Sequence, residues 1–406
     1  MWTDLKGVTF LLGSGVSIPS GYPSTAQITQ ALLTKDWLFD REQSQSEILL
    51  TSMLYGRNHS LRMDAIFGLI RLLRSQVDQH LALQGKSEPT YEDVYYMARQ
   101  LLDGLHDEYD NPGLLPFLSE LRSKATLMVD NLNAAYGLDG ILRSQEQLGL
   151  TGLLQDCVDF IEEAVTAQLV LPKKKKGLKL LDQAVASDLK NPLHIVTLNH
   201  DTLLETHFSK RKVTDGFVPW SNAVAAFDPQ CFEDKTKHRI RLLKLHGSID
   251  WFRYKARDGS ALVLRVRSGD RNHLKDLHGE VLRPPTGRLL LSGTTNKELA
   301  YGSGVFLELM FQFHKRLQET DLLIVSGYGF ADKGINNRIW AWLDLRPKNR
   351  IIVMHNQIDE LRRNAKPSFR HNMDRMKDKR KFILVDRWMC DSTLADLQRE
   401  LRISSR

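Results

Sequence analysis

Two short segments hold side chains that could carry acid–base chemistry on a sugar. TLNHD places Asn199, His200 and Asp201 directly after an apolar run, and KLHGS places His246 after a second one. Imidazole exchanges protons near neutral pH, so His246 is a candidate general base. Each segment also fits a structural role, because Asp201 could cap the helix that begins TLLE and a lone histidine is more often structural. The two readings stay open at this point.

A glycine-containing loop follows the first apolar run, in FLLGSGVSIPSGYPS, residues 10–24. Gly13 and Gly15 allow a tight turn and a close approach to a ligand that a Cβ would obstruct. Strand, glycine turn and helix form the arrangement that binds nucleotide phosphates through backbone N–H groups. The GxGxxG fingerprint fails, however, because Ile18 stands at the third glycine position. A tight turn with packing glycines is the alternative.

Two later apolar runs also end in residues suited to a nucleotide. LLIVSGYGF ends in Ser326 and Gly327, another turn of close approach, and IIVMHNQ places Asn356 just after the run. An asparagine at such a strand end often contacts a ribose hydroxyl, and a plain turn asparagine is the alternative. Because carboxyl ends of parallel strands bind ligands in α/β folds, these residues are candidates for one site.

Seven apolar runs are predicted strands. Several are nearly continuous in Val, Ile and Leu, which is typical of strands buried on both faces of a parallel sheet. Helical patterns lie between several of them, including residues 304–319 and 334–345. Alternation of strand and helix predicts an α/β fold with a Rossmann-like parallel sheet. The runs begin at Val8, His194, Arg241, Arg288, Asp321, Arg350 and Lys381.

The first predicted strand is separated from the second by a long segment with helical spacing of apolar residues. Ser24 and Gln27 fit a capping box, so a first helix is expected to begin near residue 24. We therefore expect a Rossmann-like domain of residues 1–34 and 190–406 and a large helical insertion, 35–189, after the first strand and helix. LPKKKKG within the insertion is expected to be an exposed loop.

Composition narrows the class of protein. Hydrophobic residues make up 42% of the 406 and charged residues 26%, with a net charge of +7, as in ordinary globular proteins. No apolar run reaches the length of a membrane span and no signal segment stands at the start, so a cytoplasmic protein is expected. The three cysteines form no CxxC pair, which argues against disulfides and a zinc ribbon and favours buried or half-buried thiols.

The C-terminal segment is richer in positive charge. Residues 356–406 hold 13 Lys and Arg against 8 Asp and Glu. A nucleic-acid surface is possible there, but a solvated basic face is favoured.

Taken together, the five strand ends resemble the sirtuin (silent-information-regulator-like) family of NAD-consuming enzymes. GSGVS is similar to the family's GAGxS loop, SGYP to SGIP, TLNHD to TQNID and KLHGS to the loop with the catalytic histidine. SGYGF stands where the family has its GTS segment. The resemblance covers about half the chain and keeps the motifs in order. It implies catalytic roles for Asn199, His246 and Asp201, and NAD contacts for Gly13, Ser14, Gly15, Ser17, Ser20, Tyr22, Ser326, Gly327 and Asn356.

The chain departs from the family at three points. Ser24 and Thr25 stand where deacetylases carry an arginine, the zinc-binding CxxC pairs are missing, and a long insertion follows the first helix. These departures weaken the alternative of a protein deacylase. They fit the sirtuin-like proteins of prokaryotic anti-phage defence, which destroy NAD.

The resemblance thus implies an NAD⁺ glycohydrolase that cleaves the nicotinamide–ribose bond, needs no metal and depletes NAD in abortive infection. Asn199 would orient the ribose and a water, Asp201 would contact the carboxamide or a water, and His246 would serve as general base. The alternatives are an NAD-dependent deacylase and a module that senses NAD or ADP-ribose without turnover. The large insertion predicts a homo-oligomer, and analogy of length and architecture suggests a HerA-type ATPase as partner; a membrane partner is not expected.

Overall fold

The structure is a computed structural model and describes most of the chain. The described residues are 5, 7–33, 59–83, 88–106, 108, 115–135, 149–170, 174–187, 189, 191–208, 213–219, 224–233, 239–267, 271, 273–276, 279–283, 285, 287–293 and 296–403. Contacts divide them between two compact units. The first comprises 1–24, 172–291 and 297–406, and the second 25–171 and 292–296.

A seven-stranded sheet forms the centre of the first unit, and every neighbouring pair in it is parallel. The strands are β1 (Val8–Leu12), β2 (Leu193–Thr197), β3 (Val213–Thr214), β6 (Ile240–Lys244), β10 (Leu322–Ser326), β11 (Arg350–Met354) and β12 (Phe382–Val385). In space they follow the order β12-β11-β10-β1-β2-β6-β3. The predicted α/β fold with a Rossmann-like parallel sheet is therefore confirmed.

Six of the seven predicted runs lie in this sheet because their side chains are buried on both faces. All five residues of β1, β2, β6 and β10 are buried. Helices α9 (Gly304–Gln318) and α10 (Lys333–Leu345) belong to the same unit, with buried residues such as Phe313 and Ile339 in its core. Burial of each such side chain contributes about 1.5–3 kcal/mol.

The run at Arg288 has a different place from the other six. It forms β9 (Arg288–Leu290) in a second, five-stranded sheet with β4 (Phe217–Pro219), β5 (Val224–Phe227), β7 (Gly247–Lys255) and β8 (Ala261–Val266). Every recorded pairing in this sheet is antiparallel. β7 and β8 are joined by a turn with Gly259 at φ +87°. The Asp258-Gly259 pair between two alternating runs is the sequence signal for this hairpin.

The second unit is helical. Helix α1 (Thr25–Leu33) begins within a residue of its predicted start, and α2 (His59–Leu83), α3 (Tyr91–Leu105), α4 (Leu115–Ala135) and α5 (Leu150–Val170) follow it. These helices pack against one another, and the rings of Phe67 and Phe160 meet edge to face at 5.3 Å. Together with α6 (Lys179–Ala186) of the first unit, they confirm a large helical insertion between β1 and β2.

The exposure of the lysine run and of the cysteines agrees with the sequence. Lys174, Lys175 and Lys176 of LPKKKKG are exposed as expected, while residues 171–173 lie outside the described part. Cys157 is buried and Cys231 and Cys390 are half-buried, as predicted. In the part of the chain that the structure covers, no helix is long and apolar enough to cross a membrane. The other helices are α7 (Leu203–His207), α8 (Asn296–Ala300), α11 (Ile358–Asn364), α12 (Pro367–Asp378) and α13 (Leu394–Ile403).

Asp159 on α5 makes the stability of the fold depend on pH. Burial, together with the charges of Asp156 and Glu163, raises the pKa of Asp159 from 3.8 to about 6. Because the folded pKa lies above the unfolded one, the protonated form favours folding, and this contribution is lost as the pH rises through 6. Two pKa units correspond to about 3 kcal/mol, which partial solvent contact reduces to about 1–2 kcal/mol.

We therefore expect the free energy of unfolding of Asp159→Asn to exceed that of the natural protein by about 1–2 kcal/mol at pH 8. The difference should shrink as the pH falls below the folded pKa of about 6 and should vanish below the unfolded value of 3.8. Denaturant unfolding at several pH values measures this. Asp130→Asn on the exposed face of α4 is the matched control and should leave the free energy of unfolding unchanged at every pH measured. A difference that does not change with pH would contradict the assignment.

Candidate active site

The residues singled out in the sequence come together at one side of the parallel sheet. We call this side the carboxyl edge: the ends of β11, β10, β1, β2 and β6, which are neighbours in that order. Asn356, Gly327, Gly13, Asn199 and His246 follow these five strands in turn. At about 4.8 Å between strands, they extend over roughly 19 Å. The chain leaves β1 for β2 on one side and later returns to β10 on the other, which is the switch point where such sheets bind ligands.

The loop after β1 packs directly on the loop after β10. The N–H of Gly13 donates to the carbonyl of Ser326 at 3.0 Å, and that of Gly15 donates to Gly327 at 3.1 Å. A Cβ on Gly13 would lie 2.3 Å from the Gly327 oxygen, and one on Gly15 2.7 Å from the Gly327 Cα. The glycines are therefore needed for this contact between two loops. Gly327 itself has φ +68°, which favours glycine.

This packing changes the expected role of the loop's N–H groups. Besides Gly13 and Gly15, the N–H groups of Val16 and Ser17 donate to the carbonyls of Gly13 and Ser14. These four donors are engaged by protein carbonyls, so the expectation that they point to phosphates does not describe this structure. Ser14 is exposed between the two glycines. Phosphate contact is therefore expected from Ser14 in this loop.

The loop glycine gives a stability test with a close control. Gly15→Ala is expected to lower the free energy of unfolding by about 1–3 kcal/mol and to weaken NAD⁺ binding, because the methyl group forces the two loops apart. Thermal melting and calorimetry measure the two effects. Gly329→Ala, in the β10 loop but with open space around its Cβ position, should melt like the natural protein. Unchanged melting and affinity in Gly15→Ala would show that the loops do not need this contact.

Asn199 joins the β1 loop to the end of β2. Its Nδ2 donates to the carbonyl of Gly13 at 3.1 Å and to Ser17 Oγ at 3.0 Å, and these two acceptors fix the orientation of the amide. Its Oδ1 is buried and has no hydrogen-bond partner among the described residues. A buried acceptor without a partner costs about 1–3 kcal/mol, a cost that a hydrogen bond from a ligand at this edge would offset.

Asp201 is buried and holds its neighbours. Ser17 Oγ donates to its Oδ2 at 2.7 Å, and the N–H of Leu203 at the start of α7 donates to its Oδ1 at 3.0 Å. Both carboxylate oxygens thus have protein partners, as the helix-start alternative expected. A direct contact from Asp201 to the carboxamide of NAD⁺ stays a prediction.

A buried ion pair contacts the backbone of Asp201 and was not predicted from the sequence. Lys244 of β6 lies 2.9 Å from Glu205 of α7 and also donates to the carbonyl of Asp201. Burial raises the pKa of Glu205, and the charge of Lys244 opposes that rise. A lysine inside the apolar run RLLKLHG was the available signal, because a buried charge needs a partner.

Of the other residues predicted to contact NAD⁺, Ser20, Tyr22 and Ser326 are buried and Asn356 is exposed. Ser20 is buried and its hydroxyl donates to the carbonyl of Lys176 at 3.0 Å, which ties down the loop. Tyr22 is buried too; burial and then the charges of Asp201 and Glu205 raise its pKa to about 12, so the phenol keeps its proton. Ser326 is buried below Gly327, whereas Asn356 is exposed beyond β11.

His246 is buried and connected to two residues that the sequence did not reveal. Its Nε2 lies 2.7 Å from Tyr301 Oη, and that hydroxyl donates to Asp332 Oδ2 at 2.6 Å. Burial would raise the pKa of Asp332, but hydrogen bonds and charge from His246 and Tyr301 hold it well below its usual range. Asp332 precedes the predicted helix at Gly334, and a capping aspartate there was the one signal available.

His200 is a second histidine beside His246, with ring centroids 6.2 Å apart. Burial, and then positive charge from His246, Lys297 and Lys244, lowers the pKa of His200 well below its usual value. His200 is therefore neutral, and its Nδ1 is buried without a hydrogen-bond partner among the described residues.

Comparison with known proteins gives a family match for part of the chain. Residues 193–374 match the SIR2-like domain family. The matched segment runs from β2 into α12 and contains Asn199, His246 and Asn356, whereas the β1 loop lies before it. No curated protein matches the chain. A solved structure, Sir2Tm bound to a propionylated peptide, shares 10% identity over 100% of this chain and 94% of that one, at a TM-score of 0.34, which is too low for any argument.

Proposed function

We propose that the carboxyl edge binds NAD⁺ and hydrolyses the bond between nicotinamide and ribose. The observation that carries the proposal is the pairing of two features at the ends of adjacent strands within the SIR2-like domain. Asn199 presents a buried, unpartnered Oδ1 after β2, and His246 stands with Tyr301 and Asp332 after β6. An oriented acceptor and a histidine at the ends of two neighbouring strands suit chemistry on a ribose.

The reaction follows from the charge on the leaving group. The nicotinamide nitrogen is cationic, so it departs with the electron pair of the C–N bond while the ribose gains oxocarbenium character. A water oxygen then bonds to the ribose carbon, and its proton passes to a base. Asn199 Oδ1 would accept a hydrogen bond from a ribose hydroxyl or from this water. His246 would bind the ribose hydroxyls and take the proton.

The residues around these two groups keep them in place. Ser17 and Gly13 fix the amide of Asn199, and Asp201 fixes Ser17. Lys244, paired with Glu205, donates a hydrogen bond to the carbonyl of Asp201 and so holds its backbone. Orientation of this kind supplies a large share of an enzyme's rate. The pyrophosphate and adenosine of NAD⁺ would lie along the loops after β1, β10 and β11, towards Asn356.

Nicotinamide release from NAD⁺, measured with and without an acetylated peptide, tests the proposal against its two rivals. A glycohydrolase releases nicotinamide and ADP-ribose without peptide. A deacylase releases nicotinamide only with peptide, and a sensing module binds NAD⁺ with no release. Either of the last two results would replace the proposed function. That the reaction needs no metal stays a prediction, tested by adding a chelator to the same assay.

We further propose, from the resemblance alone, that NAD⁺ depletion serves anti-phage defence by abortive infection, with a HerA-type ATPase as partner. A freely active enzyme would exhaust its host's NAD⁺, so some control must act on it. NAD⁺ levels in cells expressing the chain alone, and then with its genomic neighbour, test this role. Unchanged levels in both would contradict it.

Assembly into a homo-oligomer is expected through the helical insertion. Among the described residues of that unit, Leu115, Leu127 and Val170 are exposed to 46%, 61% and 45%. Exposed apolar side chains of this size suit a protein interface. Light scattering on the purified chain at micromolar concentration should give a mass above that of one chain, and a monomeric mass would contradict the prediction.

A further inference from the structure

We propose that Tyr301 and Asp332 are positioning residues that hold His246 with its proton on Nε2 and so make Nδ1 the basic atom of the site. The inference deepens the proposed function and rests on it for the role of the base. The tautomer itself is a property of the folded chain, and it can be measured whether or not NAD⁺ is cleaved.

Three segments far apart in sequence meet in this network. His246 follows β6, Tyr301 follows α8, and Asp332 precedes α10. All three side chains are buried, at 5%, 4% and 7% exposure. The contacts are short: 2.7 Å from His246 Nε2 to Tyr301 Oη, and 2.6 Å from Tyr301 Oη to Asp332 Oδ2. Hydrogen bonds to a charged group in a buried setting are stronger than those between neutral groups.

The direction of the hydrogen bonds follows from the number of protons. An ionised carboxylate only accepts, so the single proton of the Tyr301 hydroxyl is donated to Asp332. The hydroxyl oxygen must then accept from His246, which places a proton on Nε2. In neutral imidazole the other nitrogen carries no proton, so Nδ1 is the acceptor.

Asp332 is itself held in one orientation. Its Oδ1 accepts from the N–H of Ile335 at 3.0 Å, as the cap of α10, which leaves Oδ2 for Tyr301. The Tyr328 hydroxyl accepts from the N–H of Asp332 at 3.3 Å and lies 3.1 Å from the Asp332 carbonyl. Because helix cap and network share one carboxylate, the start of α10 fixes the position of Tyr301's acceptor.

His200, whose ring is the neighbour of His246, does not reverse this direction. It is neutral and 6.2 Å away between ring centroids, and the cations that act on it, Lys244 and Lys297, offer no proton acceptor. Asp332 Oδ2 lies 3.4 Å from His246 Nε2, so the carboxylate also favours a proton on that nitrogen directly.

Nitrogen-15 NMR of the imidazole rings tests the proposal, with His246→Gln used to assign the signal. His246 should show a protonated Nε2 and an unprotonated Nδ1. In Asp332→Asn the amide can donate to the Tyr301 oxygen, so the tyrosine proton turns to Nε2 and the tautomer inverts; asparagine also caps helices well, which preserves the fold. Tyr301→Phe should mix the two tautomers.

Tyr328→Phe is the matched control, because it removes a buried hydroxyl that contacts Asp332 but not His246. It should leave the tautomer of His246 unchanged. A proton on Nδ1 in the natural protein, or an unchanged tautomer in both Asp332→Asn and Tyr301→Phe, would overturn the inference.

Activity adds a second readout. Tyr301→Phe and Asp332→Asn should lower kcat for nicotinamide release by about 10²–10⁴-fold, with KM nearly unchanged, because the wrong tautomer disables the base without altering substrate contacts. A normal kcat with an inverted tautomer would overturn the assignment of Nδ1 as base. If the natural protein cleaves no NAD⁺, the proposed function fails while the tautomer result stands.

Discussion

Replacing His246 by alanine is expected to slow nicotinamide release by about 10²–10⁴-fold, the usual contribution of a positioned general base. The imidazole is the group at the carboxyl edge best suited to taking a proton near neutral pH, and Tyr301 and Asp332 hold it in place. Steady-state assays of the purified variant measure the loss. Circular dichroism and thermal melting should show a folded chain.

Two comparisons separate lost chemistry from lost structure. His246→Gln retains more side-chain volume and should lose as much activity while melting closer to the natural protein. His371→Ala, on the exposed face of α12, should retain full activity. Turnover near that of the natural protein in His246→Ala would remove this residue from the mechanism.

Asn199→Ala should also abolish most of the NAD⁺ cleavage, by about 10²-fold or more, since the proposed ribose acceptor disappears. The change also removes two hydrogen bonds, to Gly13 and Ser17, each contributing about 1 kcal/mol to stability. A lower melting temperature is therefore expected together with the lost activity. Kinetics and melting on the same preparation measure both.

Asn199→Asp sharpens this test because it keeps an oxygen acceptor but cannot donate to Gly13 or Ser17. It also adds negative charge beside Asp201, so the loop should loosen and activity should fall as far as in Asn199→Ala. Asn364→Ala, an exposed asparagine at the end of α11, is the control and should be neutral. An Asn199→Ala enzyme with normal kcat would show that Oδ1 does not face the substrate.

The parallel sheet could be predicted from the sequence because its strands are buried on both faces. Continuous apolar runs such as those of β1 and β10 leave little choice of environment. The antiparallel sheet was not predicted because β7 lacks a continuous apolar run. Asp250 is half-buried, and Arg253 and Lys255 are exposed along the strand. The run at Arg288 forms β9 of that sheet. Its sheet could not be predicted, because a strand of three residues carries no signal for the strand that it pairs with.

The candidate site was predictable only where residues stand at strand ends. Asn199 and His246 follow strands, so sheet order alone brings them together. Tyr301 and Asp332 come from a helix end and a helix start, and their approach to His246 depends on tertiary packing that no local pattern encodes. The role of Gly13 and Gly15 was likewise set by a loop more than 300 residues away, at Gly327.

Hydrolysis of NAD⁺ by the purified full chain in ¹⁸O-labelled water, followed by mass spectrometry, tests the central claim most directly. We predict one nicotinamide and one ADP-ribose for each NAD⁺ consumed, with a single ¹⁸O on the ribose carbon that held nicotinamide and no requirement for an acylated peptide. Both products should form about 10²–10⁴-fold more slowly in His246→Ala. Intact NAD⁺ after prolonged incubation, or product formation in His246→Ala at the rate of the natural protein, would contradict the account.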